Sequence, residues 1–179
     1  MGILKTLFGT KAGANKAPPA LGAQTLESAE TRLRPGLSLT YDPALVKSLK
    51  DDHQSLIQIF QQIDTACQAL DIAGCKDALR RFQSRLTDHL IVENTRFYLY
   101  VKNAMKASDP ASAGIARSFQ AEMHQIAKVV TSFVDKYSQN GEMIQSAAFA
   151  QELQGIGRAL AERIGREEQT LYPLYVPIP

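Results

Sequence analysis

The chain has 179 residues, 21% of them charged, and its 20 lysines and arginines nearly balance 18 acids, for a net charge of +2. That length suffices for one well-buried core, and scattered basic residues at near-neutral charge give no case for a nucleic-acid partner. No run approaches ~18 consecutive apolar residues, so no membrane-spanning helix is expected, and two cysteines, Cys67 and Cys75, are too few for a disulfide framework and suit the cytoplasm.

The first element in chain order is a short apolar patch, "MGILKTLFGTK". Ile3, Leu4, Leu7 and Phe8 suit a small amphipathic helix that docks on the protein or on a partner. The same residues match M-G-x-x-x-[ST], the N-myristoylation pattern, which is short enough to recur in unrelated chains. Residues 9–41 are rich in glycine, proline and alanine without a sustained period, and are read as an irregular arm. The helical domain is placed at residues 42–176, with Asp42 as N-cap and Pro43 at the first helical position, where its missing N–H costs nothing.

Four long segments follow, separated at "DIAGC", "KASDPASAG" and "SQNGE". Each break holds glycine or proline and is short enough to turn one helix back on the last. On the first segment Leu49, His53, Leu56, Phe60, Ile63, Cys67 and Leu70 recur at spacings of four and three, which marks a core seam. The second seam is Leu79, Phe82, Leu86, His89, Glu93 and Tyr100, with Phe97 beside it. The third is Ile115, Phe119, Glu122, Ile126, Val129 and Phe133, with Met123 and Val130 on its shoulder. The fourth is Phe149, Leu153, Ile156, Leu160, Arg163, Glu167 and Leu171. Strand-like alternation is nowhere sustained, so the predicted fold is all-α, an up-down-up-down antiparallel four-helix bundle.

Polar residues interrupt each seam: His53; His89 and Glu93; Glu122; Arg163 and Glu167. A buried polar side chain is costly unless a metal, a counter-charge or hydrogen bonds satisfy it. Facing helices of a bundle can bring histidines and carboxylates to one level, and a four-residue spacing puts two of them on one helix face. These interruptions are therefore expected to form one centre.

The segments "DHQSLIQIFQQID", "LTDHLIVENTRFY", "FQAEMHQIAKVV" and "LAERIGREEQTLYPLY" resemble the four helices of the hemerythrin family of histidine–histidine–glutamate cation-binding domains, over residues 45–175. The helices of that family read roughly D-H, H-x-x-x-E, E-H-x-x-I and H-I-x-x-E-E-x-x-L-[FY]-P. The resemblance implies a carboxylate-bridged pair of iron ions serving oxygen binding, sensing, or iron and nitric-oxide handling. It places His53, His89, Glu93 and Glu167 on ligand positions. Two positions depart from it: the histidine of the third helix is Met123, with His124 one step away on another face, and the histidine of the fourth is Arg163.

A guanidinium does not deprotonate in a protein and repels a metal, so Arg163 argues against the usual di-iron site and suggests a built-in replacement for one cation. Glu122 is read as a charge partner, His124 and Glu168 as solvent-facing, and Met123 as packing. The "RRFQSR" run at 80–85 is read as a solvated face or a patch for an acidic partner. Cys67 is read as a small hydrophobe on the core stripe and Cys75 as a turn residue, with a redox role for the pair left open.

Two functions follow. One is a hemerythrin-like cation-binding or sensing protein with an altered site and iron as its ion. The other is a metal-free helical interaction module, since "FAQELQGIGRALAERIGREEQTL" and the third-helix spacing are also similar to the Rsd/AlgQ-type anti-sigma regulators. No nucleophile with a paired base, phosphate-cradling glycine loop or C-x-x-C motif supports an enzyme. Because Leu33, Leu37 and Leu39 of the arm are expected to lie only along a groove of the bundle, deleting residues 1–38 should leave a folded helical domain of modestly lower stability. Loss of the cooperative thermal transition would make the arm part of the core.

Overall fold

A computed structural model describes residues 40–105 and 110–177. The expectations for the N-terminal patch, for nearly all of the arm and for residues 106–109 lie outside these residues. Four long helices dominate: α1 (Leu45–Gln68), α2 (Ile72–Val92), α4 (Pro110–Gln139) and α5 (Ala147–Arg166). A π-helical turn at Glu93–Tyr98 joins α2 to the short α3 (Leu99–Met105). A second π-helical turn, Glu167–Leu171, extends α5 and leads to a 3₁₀ turn at Tyr172–Leu174, and another 3₁₀ segment, Gly141–Gln145, precedes α5. No strand occurs among the described residues.

The helix starts follow from their caps. The α1 helix begins at Leu45 rather than at Pro43, because Asp42 folds its own side chain back onto the Ala44 N–H (2.9 Å) and makes a turn first. Of "DIAGC", only Asp71 stands outside the helices; its carboxylate accepts the Gly74 N–H at 2.9 Å and starts α2. A Cβ on Gly74 would lie 2.2 Å from Asp71 Oδ2, so a side chain there would make the carboxylate shift from its present position. Leu70, expected on the first seam, instead leaves it at a φ of 57° and is 68% exposed, while Cys75, expected at the turn, is fully buried in the first turn of α2. Ser146 caps α5 by accepting the Phe149 N–H.

The first, second and fourth seams pack largely as spaced, with Leu49, Leu56, Ile63, Leu79, Phe82, Leu86, Phe149, Leu153 and Leu160 all buried. The third is rotated from the expected one. Its buried residues are Ala116, Phe119, Met123, Ile126, Val130 and Phe133, whereas Ile115 is 39% exposed and Val129 is only partly buried. Both registers are spaced by threes and fours, and the register that buries Met123 keeps Glu122 at the edge, where water and arginines reach it.

The core is divided in two. One apolar cluster runs from Leu56, Leu86, Met123 and Leu160 towards Ile63, Phe133 and Phe149; the other gathers Leu45, Leu49, Phe97, Phe119, Leu171 and Tyr175. Between them in sequence on α1, on α2 with its extension and on α5 with its extension lie the buried polar residues His53, His89 and Glu93, and Arg163 and Glu167. Tyr175 fastens the second cluster to the start of α1 by accepting the Asp42 N–H. In the first cluster Phe149 stacks on Phe133 at 5.4 Å and meets Tyr137 edge-on at 4.8 Å. Replacing Phe149 with alanine is expected to cost about 3–5 kcal/mol, for a fall in Tm on the order of 10 °C in thermal melting.

Candidate metal centre

The polar layer is built by side chains that sit one helical turn apart. On α1, His53 lies between Leu49 and Leu56 and is 1% exposed. On α2 and the turn that follows, His89 and Glu93 are 3% and 0% exposed; on α5 and its own extension, Arg163 and Glu167 are both 2% exposed. One offset along the chain carries Leu79, Phe82, Leu86, His89, Glu93 and Tyr98 onto Leu153, Ile156, Leu160, Arg163, Glu167 and Tyr172. Each glutamate opens a π-helical turn, and in both turns a tyrosine follows five residues later. Hydrogen bonding from i to i+5 brings residues five apart onto one face, which aims each tyrosine back at the polar layer.

Glu167 is the hub. Its Oε2 lies 3.2 Å from His53 Nε2, and its Oε1 accepts from Arg163 Nε at 2.6 Å. Burial works to raise this carboxyl, but the His53 hydrogen bond and the Arg163 charge outweigh it and hold the group below its ordinary range. The remaining Arg163 donors go to Glu122 Oε2 (3.0 Å) and to the Tyr98 hydroxyl (3.1 Å), while its guanidinium lies 4.4 Å from the centre of the Phe119 ring. Glu122 also accepts from Arg166, at 2.8 and 3.1 Å. Glu122 thus stands at the rim as a partner of two arginines.

The two histidines differ. Burial opposes charge on His53, yet Glu167 on one side and Glu168, 2.9 Å from Nδ1, on the other raise its pKa. Glu168 is therefore not solvent-facing as expected: it is half-buried and orients the His53 ring. His89 is pushed down to about 4 by burial and by neighbouring His53, and is neutral at pH 7. Asp52 Oδ2 is 3.6 Å from His89 Nδ1, too far for a hydrogen bond, so that nitrogen has no partner. Asp52 is held in place by Arg85, which removes Arg85 from the expected solvated run and leaves Arg80 and Arg81 on it.

Three donors, from His53, His89 and Glu167, come within 4.8 Å of one another. Glu93 stands outside that group. The Tyr172 hydroxyl links it to the group, 3.2 Å from His53 Nε2 and 3.4 Å from Glu93 Oε1, while Glu93 Oε2 is buried with no partner. Burial and the nearby Glu167 charge raise the Glu93 carboxyl well above its ordinary range, with Arg163 opposing. Met123 is buried beside both Glu93 and His89, whereas His124 is exposed on the far side of the groove between α2 and α4. Tyr98 and Tyr172 are the members that the four-three spacing overlooks; the repeated glutamate-to-tyrosine interval of five is the signal that marks them.

Two imidazoles and one carboxylate form a donor set suited to a single divalent cation with open positions, ferrous iron among them. A second ion fits poorly, since Met123 and Arg163 supply neither an imidazole nor a negative charge. No curated protein and no solved structure shows significant similarity to the chain. The hemerythrin HHE cation-binding domain model matches residues 44–175, and with this match spanning most of its length the chain belongs to the hemerythrin HHE cation-binding family.

Proposed function

We propose that the protein is a hemerythrin-like cation-binding or sensing protein whose centre takes one divalent cation, iron before others, on His53, His89 and Glu167, with Arg163 in place of a second ion. The observation that carries this reading is the convergence of those three donors in a buried layer where Glu93 Oε2 has no partner. An iron ion there would supply a redox-active Lewis acid. The chain itself supplies the rest: Glu168 fixes the His53 ring, Asp52 faces the far nitrogen of His89, and Tyr172 holds Glu93 near the donors. The short connections Ala69–Asp71 and Asn140–Ser146 suit consecutive long helices that run antiparallel, as in an up-down-up-down bundle. Binding rather than turnover suits a site without a nucleophile and its base, and the two free cysteines suit the cytoplasm.

The second reading, a metal-free interaction module, draws support from the guanidinium. Arg163 has all its charge-bearing groups partnered by Glu167, Glu122 and Tyr98, so its half of the layer needs no ion. Metal analysis of protein purified without chelator separates the readings: about one equivalent of iron supports the first, and none, with ferrous titration also silent and the fold intact, supports the second.

Replacing Arg163 with methionine strands Glu167 in a buried site and is expected to cost about 3–5 kcal/mol in the metal-free protein, read by thermal melting. The same change should tighten ferrous binding, and Met123→His with Arg163→His should raise the stoichiometry towards two ions in a titration. If Arg163→Met neither destabilises the metal-free chain nor alters uptake, arginine has not taken an ion's place. Glu168→Gln tests the orientation of His53 and is expected to weaken metal binding about tenfold, with little change in the melting of the metal-free protein.

A further inference from the structure

The first and last long helices, α1 and α5, pack less closely against each other than neighbouring helices do. The gap is a cavity of about 250 Å³. Its walls are apolar, formed chiefly by Leu56, Phe60, Phe82, Leu86 and Leu160, and its mouth lies between Ile57, 37% exposed, and exposed Ala161. Gly157 shapes one wall: a Cβ there would stand 2.7 Å from Phe60 Cζ, so glycine lets the tip of the ring approach α5 closely. A dry apolar cavity of ~150 Å³ already holds a benzene ring, so this one has room for a ring and a substituent.

The floor decides which substituent. His53, His89, Arg163 and Glu167 form it. His53 already contacts Glu167, Glu168 and Tyr172; Arg163 contacts Glu167, Glu122 and Tyr98; and Glu167 uses one oxygen on each of His53 and Arg163. Of the four, His89 makes no hydrogen bond, although it is 3% exposed, and a hydroxyl can either donate to or accept from an imidazole nitrogen. Arg163 is already paired with Glu167 and Glu122, and His53 lies between Glu167 and Glu168, so an ionic ligand would bring an unpaired charge into an apolar space. One uncharged hydroxyl matches what is left.

We propose that this cavity binds a small neutral monocyclic molecule of the phenol class, with its ring among the apolar walls and its hydroxyl on His89. The hydroxyl takes the imidazole that the metal reading gives to an ion, so the test uses chelator-treated protein, in which every group of the cavity is present. Calorimetric titration of the full chain in chelator, with phenol, toluene and benzoate as probes, tests it. Phenol should bind saturably and about fivefold more tightly than toluene, the net worth of one hydrogen bond, and benzoate should bind least. Ala161→Phe, which fills the mouth from the solvent side, should weaken phenol and toluene alike by roughly tenfold or more, as an obstructed pocket does. Ile57→Trp gives the same test from α1 should the first variant melt early. His89→Leu should erase the preference for phenol while toluene still binds. Absence of saturable binding by both phenol and toluene, indifference to the mouth variants, or tighter binding of benzoate would each overturn the proposal. Ferrous titration after the chelator is removed reports separately on the metal centre.

Discussion

The ion pair between Arg163 Nε and Glu167 Oε1, 2.6 Å long and 2–3% exposed on both sides, is the constraint around which the centre is arranged. A guanidinium so deeply buried keeps its charge, so the surrounding chain must supply anions and acceptors. Glu167 supplies one, and in doing so is held ionised, which lets its second oxygen face His53. Glu122 enters from the edge of α4 and brings Arg166 with it, and the Tyr98 hydroxyl accepts from Arg163 Nη2. Loss of any of these would leave a buried charge short of a partner. The seam position of Arg163 thus fixes the roles of residues on three other segments.

The constant offset between α2 and α5, with their π-helical turns, gives the polar layer two comparable halves. In one, an acid from the first helix, Asp52, faces His89; in the other, an acid from the third long helix, Glu122, pairs with Arg163. The tyrosines cross over: Tyr98 meets the arginine of the later half, and Tyr172 meets the histidine and glutamate of the earlier one. Both histidines, His53 and His89, belong to the earlier half, and with Glu167 of the later half they bring three donor atoms within 4.8 Å of one another.

Much of this was legible in the chain. Four-three spacing marks the seams of α1, α2 and α5, and the polar interruptions on those seams are the residues found buried together. The helical register of α4 was not legible, because Ile115, Glu122 and Val129 share a face as regular as that of Ala116, Met123 and Val130, and only packing against the other helices chooses between them. Glu168 looked exposed because it adjoins a core residue; on a widened turn the neighbouring position reaches His53 as well. The phase of the chain beyond Glu93 was also hidden. Periodicity read at 3.6 residues per turn put Phe97 beside the seam, whereas it is wholly buried, as is Tyr98 almost.

That widened turn has a consequence for how relatives are compared. A π-helical turn holds one residue more than the regular helix needs to cover the same ground. Removing a single residue between Glu93 and Tyr98, or between Glu167 and Tyr172, would let the helix close to the ordinary repeat with both flanking segments still in phase with the core. The tyrosine would then stand four residues after the glutamate, which on a regular helix is the same face, so it would keep its place over the polar layer and only the extra residue of the turn would be lost. A one-residue gap at this interval between two such chains would therefore record whether the turn is widened, with the seams on either side unaffected.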